Sequence, residues 1–114
     1  MQSSGTVRTE LLGTVGVITL SGEVSSTIEE VFLKAYNEVT SAGSTKILLR
    51  FNEKCFINSA GIALVIMIVS KARDVSQKVG VVGLSTHYQK IFEMIGLTDF
   101  LTIFQGEDAA LKLL

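Results

Sequence analysis

The stretch FINSAGI, Phe56 to Ile62, interrupts the most hydrophobic third of the chain, with ILLRF (47–51) before it and IALVIMIV (62–69) running on from it. Two small polar residues, Asn58 and Ser59, stand between these apolar runs. The run KILLRF (46–51), bounded by Ser-Thr before and Asn-Glu-Lys after, predicts a short buried strand. Residues 60–75 predict a helix that is apolar on nearly every side until Ser70-Lys71, and so deeply packed, with Asn58 or Ser59 as its N-cap. The polar break is then a junction from strand to helix. A hydroxyl placed there is either a helix cap or a group presented for recognition or chemistry.

The flanking sequence alternates in the same manner. VRTELL (7–12) and VGVITL (15–20) surround Gly13-Thr14 and predict two strands joined by a tight turn. Ser25-Ser26-Thr27 offers caps for a helix with Glu29 and Glu30 in its first turn, where the positive end of the helix dipole favours acid. Ile28, Val31, Phe32, Ala35, Tyr36 and Val39 recur at helical spacing, up to an end near Ala42-Gly43. Val79 to Leu84 predicts a strand, and Ser85 caps a third helix carrying Tyr88, Ile91, Phe92 and Ile95 that ends at Gly96. Residues 100–104 predict a last strand and residues 107–114 a final helix.

The predicted order is β-β-α-β-α-β-α-β-α. It implies an α/β fold: a mostly parallel sheet of four or five strands, an antiparallel edge strand contributed by the first, and about four helices. In such sheets ligands and partners meet the fold at the strand ends, where FINSAGI lies.

A length of 114 residues, 47% hydrophobic and 18% charged, fits one domain over 1–114 with a real core, residues 1–6 being expected to be disordered. The net charge of −1 gives no basic field and argues against nucleic acid as a partner. The single Cys55 cannot form an internal disulfide, which suits a reducing, cytoplasmic setting, and its expected role is a buried small hydrophobe. The opening MQSSGTVRTE has no apolar segment of the secretory kind, and the run Ala60–Val69 falls far short of the about 20 residues that span a bilayer, so no membrane insertion is expected.

Conventional catalysis finds little support. No GxxxxGK[ST] or GxGxxG loop is present, and Gly61 alone cannot cradle a phosphate. One His and one Cys, far apart, do not make a metal ligand set, and His87 reads as a surface residue in a first helical turn. Ser59 is not flanked as in a GxSxG nucleophile elbow. A receiver-type switch would need an acid where Asn58 stands. No cofactor, metal or catalytic residue is therefore expected. Ser59 keeps two readings: a cap for a buried helix, or a phosphate acceptor at a helix N-terminus whose free N–H groups and positive potential would tolerate the added charge.

KILLRF, FINSAGIAL opening an apolar helix, a further strand and STHYQKIFEMIGLTDFLTIF together resemble the STAS domain of bacterial anti-sigma-factor antagonists, over residues 7 to 113. Phe56–Ile62 match that family's central run of two apolar residues, Asp, Ser, a small residue, Gly and Leu or Ile, except that Asn58 replaces the Asp. Gly22-Glu23, Phe92, Gly96-Leu97 and Phe100 fit as well. The resemblance implies a regulatory protein that is not an enzyme. Unphosphorylated, it would bind an anti-sigma factor that is also a serine kinase, and a serine/threonine phosphatase would reverse the modification. It places the phosphoacceptor at Ser59, with Ser25, Asn58, Ser59, Ala60, Gly61 and Ile62 on the partner-binding face. Three departures, Asn58, Ser25 and Arg50, would make that face less acidic than in relatives. The other function consistent with the resemblance is an unphosphorylated STAS scaffold or accessory subunit of a signalling or membrane-transport complex.

Overall fold

In the computed structural model, which describes residues 5–52 and 54–114, Gly13 takes a φ of +62° at the first position of a two-residue turn. That conformation is open to glycine and lets VRTELL fold directly back on VGVITL. The resulting hairpin is β1 (Thr6–Leu12) and β2 (Val15–Ser21), in unbroken antiparallel register from Thr6↔Ser21 to Leu12↔Val15. A two-residue strand β3 (Glu23–Val24) and a 3-10 turn (Ser26–Ile28) lead into α1 (Glu29–Ser41). Then come β4 (Lys46–Phe51), β5 (Phe56–Ile57), α2 (Ser59–Asp74), β6 (Lys78–Val82), α3 (Thr86–Met94), a second 3-10 turn (Leu97–Asp99), β7 (Thr102–Ile103) and α4 (Glu107–Leu113).

The main sheet has the order β1-β2-β4-β6-β7, parallel throughout except for β1. This is the α/β architecture that the sequence pattern implies. Side chains alternate along each strand, so the sheet has two differently covered faces. Ile18 and Leu20, Ile47, Leu49 and Phe51, and Val79 and Val81 face the larger core, built with α1, α2 and α3. Val15, Val17, Leu48 and Val82 face a smaller core closed by Ala110 and Leu114 of the C-terminal segment. Gln77 fastens α1 to the start of β6: it accepts from the Tyr36 hydroxyl at 2.7 Å and donates to Thr40 Oγ1 and the Ser44 carbonyl.

Four details depart from the sequence reading. β3 and β5 pair with each other as a second, two-stranded parallel sheet that alternation over so few residues could not predict. α2 is buried along Leu64, Val65, Ile68, Val69 and Ala72, but Ile66 is 45% exposed, because only one side of the helix meets the sheet. Val31 and Ile95, expected on buried faces, are exposed, Val31 because it sits at the flank of α1 and Ile95 because it follows the last turn of α3. The final strand is confined to Thr102–Ile103, since Phe100 ends the 3-10 turn before it. Of residues 1–6, residues 1–4 lie outside the described residues and Thr6 begins β1.

Phe92 is fully buried and meets the Phe51 ring edge-on, with centroids 6.5 Å apart, which holds α3 on the end of β4. Phe92→Ala is expected to cost about 3–5 kcal/mol, the range for emptying a buried aromatic site, read as a lower urea midpoint with an unchanged slope.

Candidate functional site

The junction is built from both ends of the chain's first half. After β2 the backbone steps aside at Gly22 into β3, and after β4 it steps aside into β5, so the two short strands pair as Glu23↔Phe56 and Val24↔Ile57. Asn52 N–H reaches the Leu20 carbonyl, Phe56 N–H the Gly22 carbonyl and Asn58 N–H the Val24 carbonyl. The Cys55 thiol donates to the Leu20 carbonyl at 3.0 Å. Burial pushes the Cys55 pKa upward, partly opposed by hydrogen bonds with the backbone of Asn52 and Gly22. From the other side, the Tyr88 hydroxyl on α3 accepts from Ile57 N–H at 2.9 Å.

The start of α2 settles which residue caps it. Asn58 is extended, with φ −92° and ψ −178°, and its Oδ1 accepts from Gly61 N–H at 2.9 Å. Its carbonyl takes the first helical bond, from Ile62 N–H. Asn58 is therefore the N-cap and Ser59 the first helical residue. Ser59 is exposed, and its hydroxyl makes no hydrogen bond among the described residues. The N–H groups of Ser59 and Ala60, in the first turn, have no helical acceptor.

Gly61 is what lets this helix start where it does. A Cβ at that position would lie 2.0 Å from the Val24 carbonyl oxygen, so no other residue fits without moving backbone. Along the open flank of α2, Ser59, Ile62, Ile66, Ser70 and Arg73 follow at helical spacing, half-buried or exposed. Beyond Ile66 a groove is lined by Ile66, Val69, Arg73, Ile95, Leu97 and Phe100, with the Arg73 guanidinium 5.0 Å above the Phe100 ring.

The structure thus brings Asn58, Ser59, Ala60 and Ile62 to one accessible junction. Ser25 and Gly61 stand beside it but are buried, Ser25 being 3% exposed. The Ser25 hydroxyl is occupied as the cap of the 3-10 turn, next to Thr27 N–H and Thr27 Oγ1. Arg50 does not belong to this surface. Its side chain lies on the other face of the sheet, bonded to Thr19 Oγ1 and the Glu107 carboxylate, with Glu10 3.8 Å away. Its charge is offset there, which removes one of the three reasons for expecting a less acidic docking face. His87 is exposed, with its ring against that of Tyr88. Among the described residues there is no group of three or more His, Cys, Asp or Glu arranged to hold a metal, and no helix long and apolar enough to cross a membrane.

A family model described as "Mlab, STAS domain" matches residues 7–103. The chain belongs to the STAS domain family. Several solved structures align over nearly its whole length. An anti-sigma factor antagonist from Mycobacterium paratuberculosis superposes with a TM-score of 0.79 at 20% identity, covering 96% of this chain and 92% of that one. The Bacillus cell fate determinant SpoIIAA in its phosphorylated form gives a TM-score of 0.70 at 19% identity, covering 96% and 100%. The anti-sigma factor antagonist SpoIIAA in its unphosphorylated form gives 0.72 at 20%, covering 94% and 96%. At these identities the likeness is one of fold. No curated protein sequence matches the chain.

The pairing of β3 with β5 and the Tyr88 tether were beyond the reach of pattern. Gly61, in the first turn of α2, was a sequence sign of the close backbone approach beside them.

Asn58→Ala is expected to lose about 1 kcal/mol of stability, with Asn58→Asp close to wild type, since Asn and Asp cap equally well. Ser59→Ala should stay within about 0.5 kcal/mol, as for an exposed position without partners. Gly61→Ala should cost about 1–3 kcal/mol by overpacking against Val24. Urea titrations check the set, and a Ser59→Ala loss equal to that of Asn58→Ala would refute the assignment of the cap. With its pKa raised, Cys55 holds less thiolate at any given pH than in the unfolded chain. Iodoacetamide should accordingly alkylate the native protein more slowly than the denatured one at the same pH.

Proposed function

We propose that this STAS domain is a regulatory protein-binding module of the anti-sigma-factor antagonist type, switched by phosphorylation of Ser59. The observation that carries the reading is the division of labour at the junction. Asn58 caps α2, which leaves the Ser59 hydroxyl exposed and unbonded beside first-turn N–H groups that lack helical acceptors. Such a terminus accommodates a phosphoryl group, which adds about −1.5 to −2 charges at neutral pH to a surface whose neighbours are Ala60 and Ile62. A partner seated on that small, partly apolar surface is released by the new charge and its hydration.

In this reading the unphosphorylated chain binds an anti-sigma factor with serine kinase activity, in the cytoplasm, and a serine/threonine phosphatase restores the binding form. The chain itself performs no chemistry and needs no cofactor. Asn58, Ser59, Ala60 and Ile62 meet the partner, while Ser25 and Gly61 hold the backbone beneath them. The same-fold antagonists support the reading, one of them solved as a phosphorylated protein.

The cognate kinase with ATP should transfer one phosphate per chain, located at Ser59 by mass spectrometry and absent in Ser59→Ala. Ser59→Asp should keep the circular dichroism spectrum and lose the partner in a pull-down. Wild-type affinity in Ser59→Asp would sink the switch.

A second reading has one observation in its favour: the matching family model bears the name Mlab and not that of the antagonists. Here the domain is an unphosphorylated scaffold or accessory subunit of a signalling or membrane-transport complex. Phosphate-affinity gels of the protein from its native cells separate the two, since a single unshifted band under every condition belongs to the scaffold.

A further inference from the structure

We propose that β1 is the contact through which two copies of this chain associate, pairing antiparallel about Thr9 so that the two sheets join into one. β1 is the edge of the main sheet. The Leu20 carbonyl accepts from Asn52 N–H and the Thr14 carbonyl from Thr45 and Lys46 N–H, so the even-numbered residues there direct their backbone groups toward β4 and the odd-numbered ones toward β1. With Thr6↔Ser21, Arg8↔Thr19, Glu10↔Val17 and Leu12↔Val15 in register, the even residues of β1 bond β2. The N–H and C=O groups of Val7, Thr9 and Leu11 point away from the sheet. No turn or loop among the described residues bonds them.

Exposed edges are ordinarily blunted by charged side chains, proline or a bulge. This one has no proline and no bulge, and its two charges, Arg8 and Glu10, are of opposite sign: VRTEL runs in regular register. Its residues are instead complementary to themselves. An antiparallel pairing centred on Thr9 sets Val7 opposite Leu11 of the second copy, Arg8 opposite Glu10, and Thr9 opposite Thr9. Arg8 and Glu10 then occupy the non-hydrogen-bonded pairs, where facing side chains are closest and opposite charges stabilise. Shifting the centre to residue 8 or to residue 10 would instead face Arg8 with Arg8 or Glu10 with Glu10. Charge therefore selects one register.

The same arrangement accounts for two apolar side chains that a single copy leaves in water. Leu11 is 53% exposed and Val31 49%. Tyr36 and Thr40 of α1 both reach Gln77, which fixes the flank of α1 turned toward α2. At 3.6 residues per turn the opposite flank, above β1, carries Val31. The start of α1 lies over the start of β1, since a Cβ on Gly5 would stand 2.6 Å from Ile28 Cγ2. In the pair, Val31 and Val7 of one copy meet Leu11 of the other. This association is independent of any switch at Ser59.

Sedimentation velocity from micromolar to millimolar protein should show the mass rising from one chain to two. Thr9→Pro removes an outward N–H while leaving the bonds to β2 in place, and should weaken the dimer at least about tenfold with an unchanged circular dichroism spectrum. Arg8→Glu and Glu10→Arg should each be monomeric alone and form a mixed dimer when combined. That arm decides the matter if Thr9→Pro fails to fold. Wild type that stays monomeric throughout, or a dimer that persists in folded Thr9→Pro, overturns the proposal.

Discussion

The approach of the α2 N-terminus to the Val24 carbonyl is the constraint on which the junction depends. Glycine at position 61 permits it, and β3 and β5 pair because the two backbones are brought side by side there. Once the pair has formed, the Asn58 N–H is spent on Val24, the Asn58 side chain turns to Gly61, and Ser59 is left at the surface. A larger residue at 61 would part the helix from the strand and loosen each of these contacts in turn. The Tyr88 hydroxyl closes the arrangement from α3 by taking the Ile57 N–H that the short strand leaves free.

The framework was legible because it rests on long apolar periodicities. The α1 stripe and the buried runs at 46–51 and 79–82 each bury enough side chains to mark themselves in the sequence. What escaped prediction rests on single contacts between distant residues. Glu23-Val24 and Phe56-Ile57 are too short for alternation to register, and their pairing spans more than thirty positions. Arg50 finds Glu107 across 57 positions, so its place on the far face of the sheet has no local signature. Val31 shows the limit of periodicity itself: it fits the helical stripe of α1, yet stands at its margin, on the flank over the edge strand, and is 49% exposed. The choice between Asn58 and Ser59 as cap was open because both residue types cap well, and only the extended backbone at 58 decides it.

The two faces of the sheet carry different duties. The α1–α3 side holds the larger core and supports the junction from beneath. The α4 side is shorter, and polar residues finish it: Arg50 joins β4 to α4 through Glu107 and leans toward Glu10 on the edge strand. A positive side chain in a central strand is tolerated because it is partly exposed and has carboxylates on two sides, not because it is dispensable.

Separate residues at 58 and 59 have a consequence for variation. Cells hold marginally stable proteins at levels that follow their folding free energy. A change at Asn58 alters the seal of a helix and is registered first as a change in abundance. A change at Ser59 leaves folding nearly untouched and alters only the face the protein shows. In the proposed switch, variants at these adjacent codons would therefore fall into different phenotypic classes, one suppressed by stabilising mutations elsewhere in the chain and the other indifferent to them.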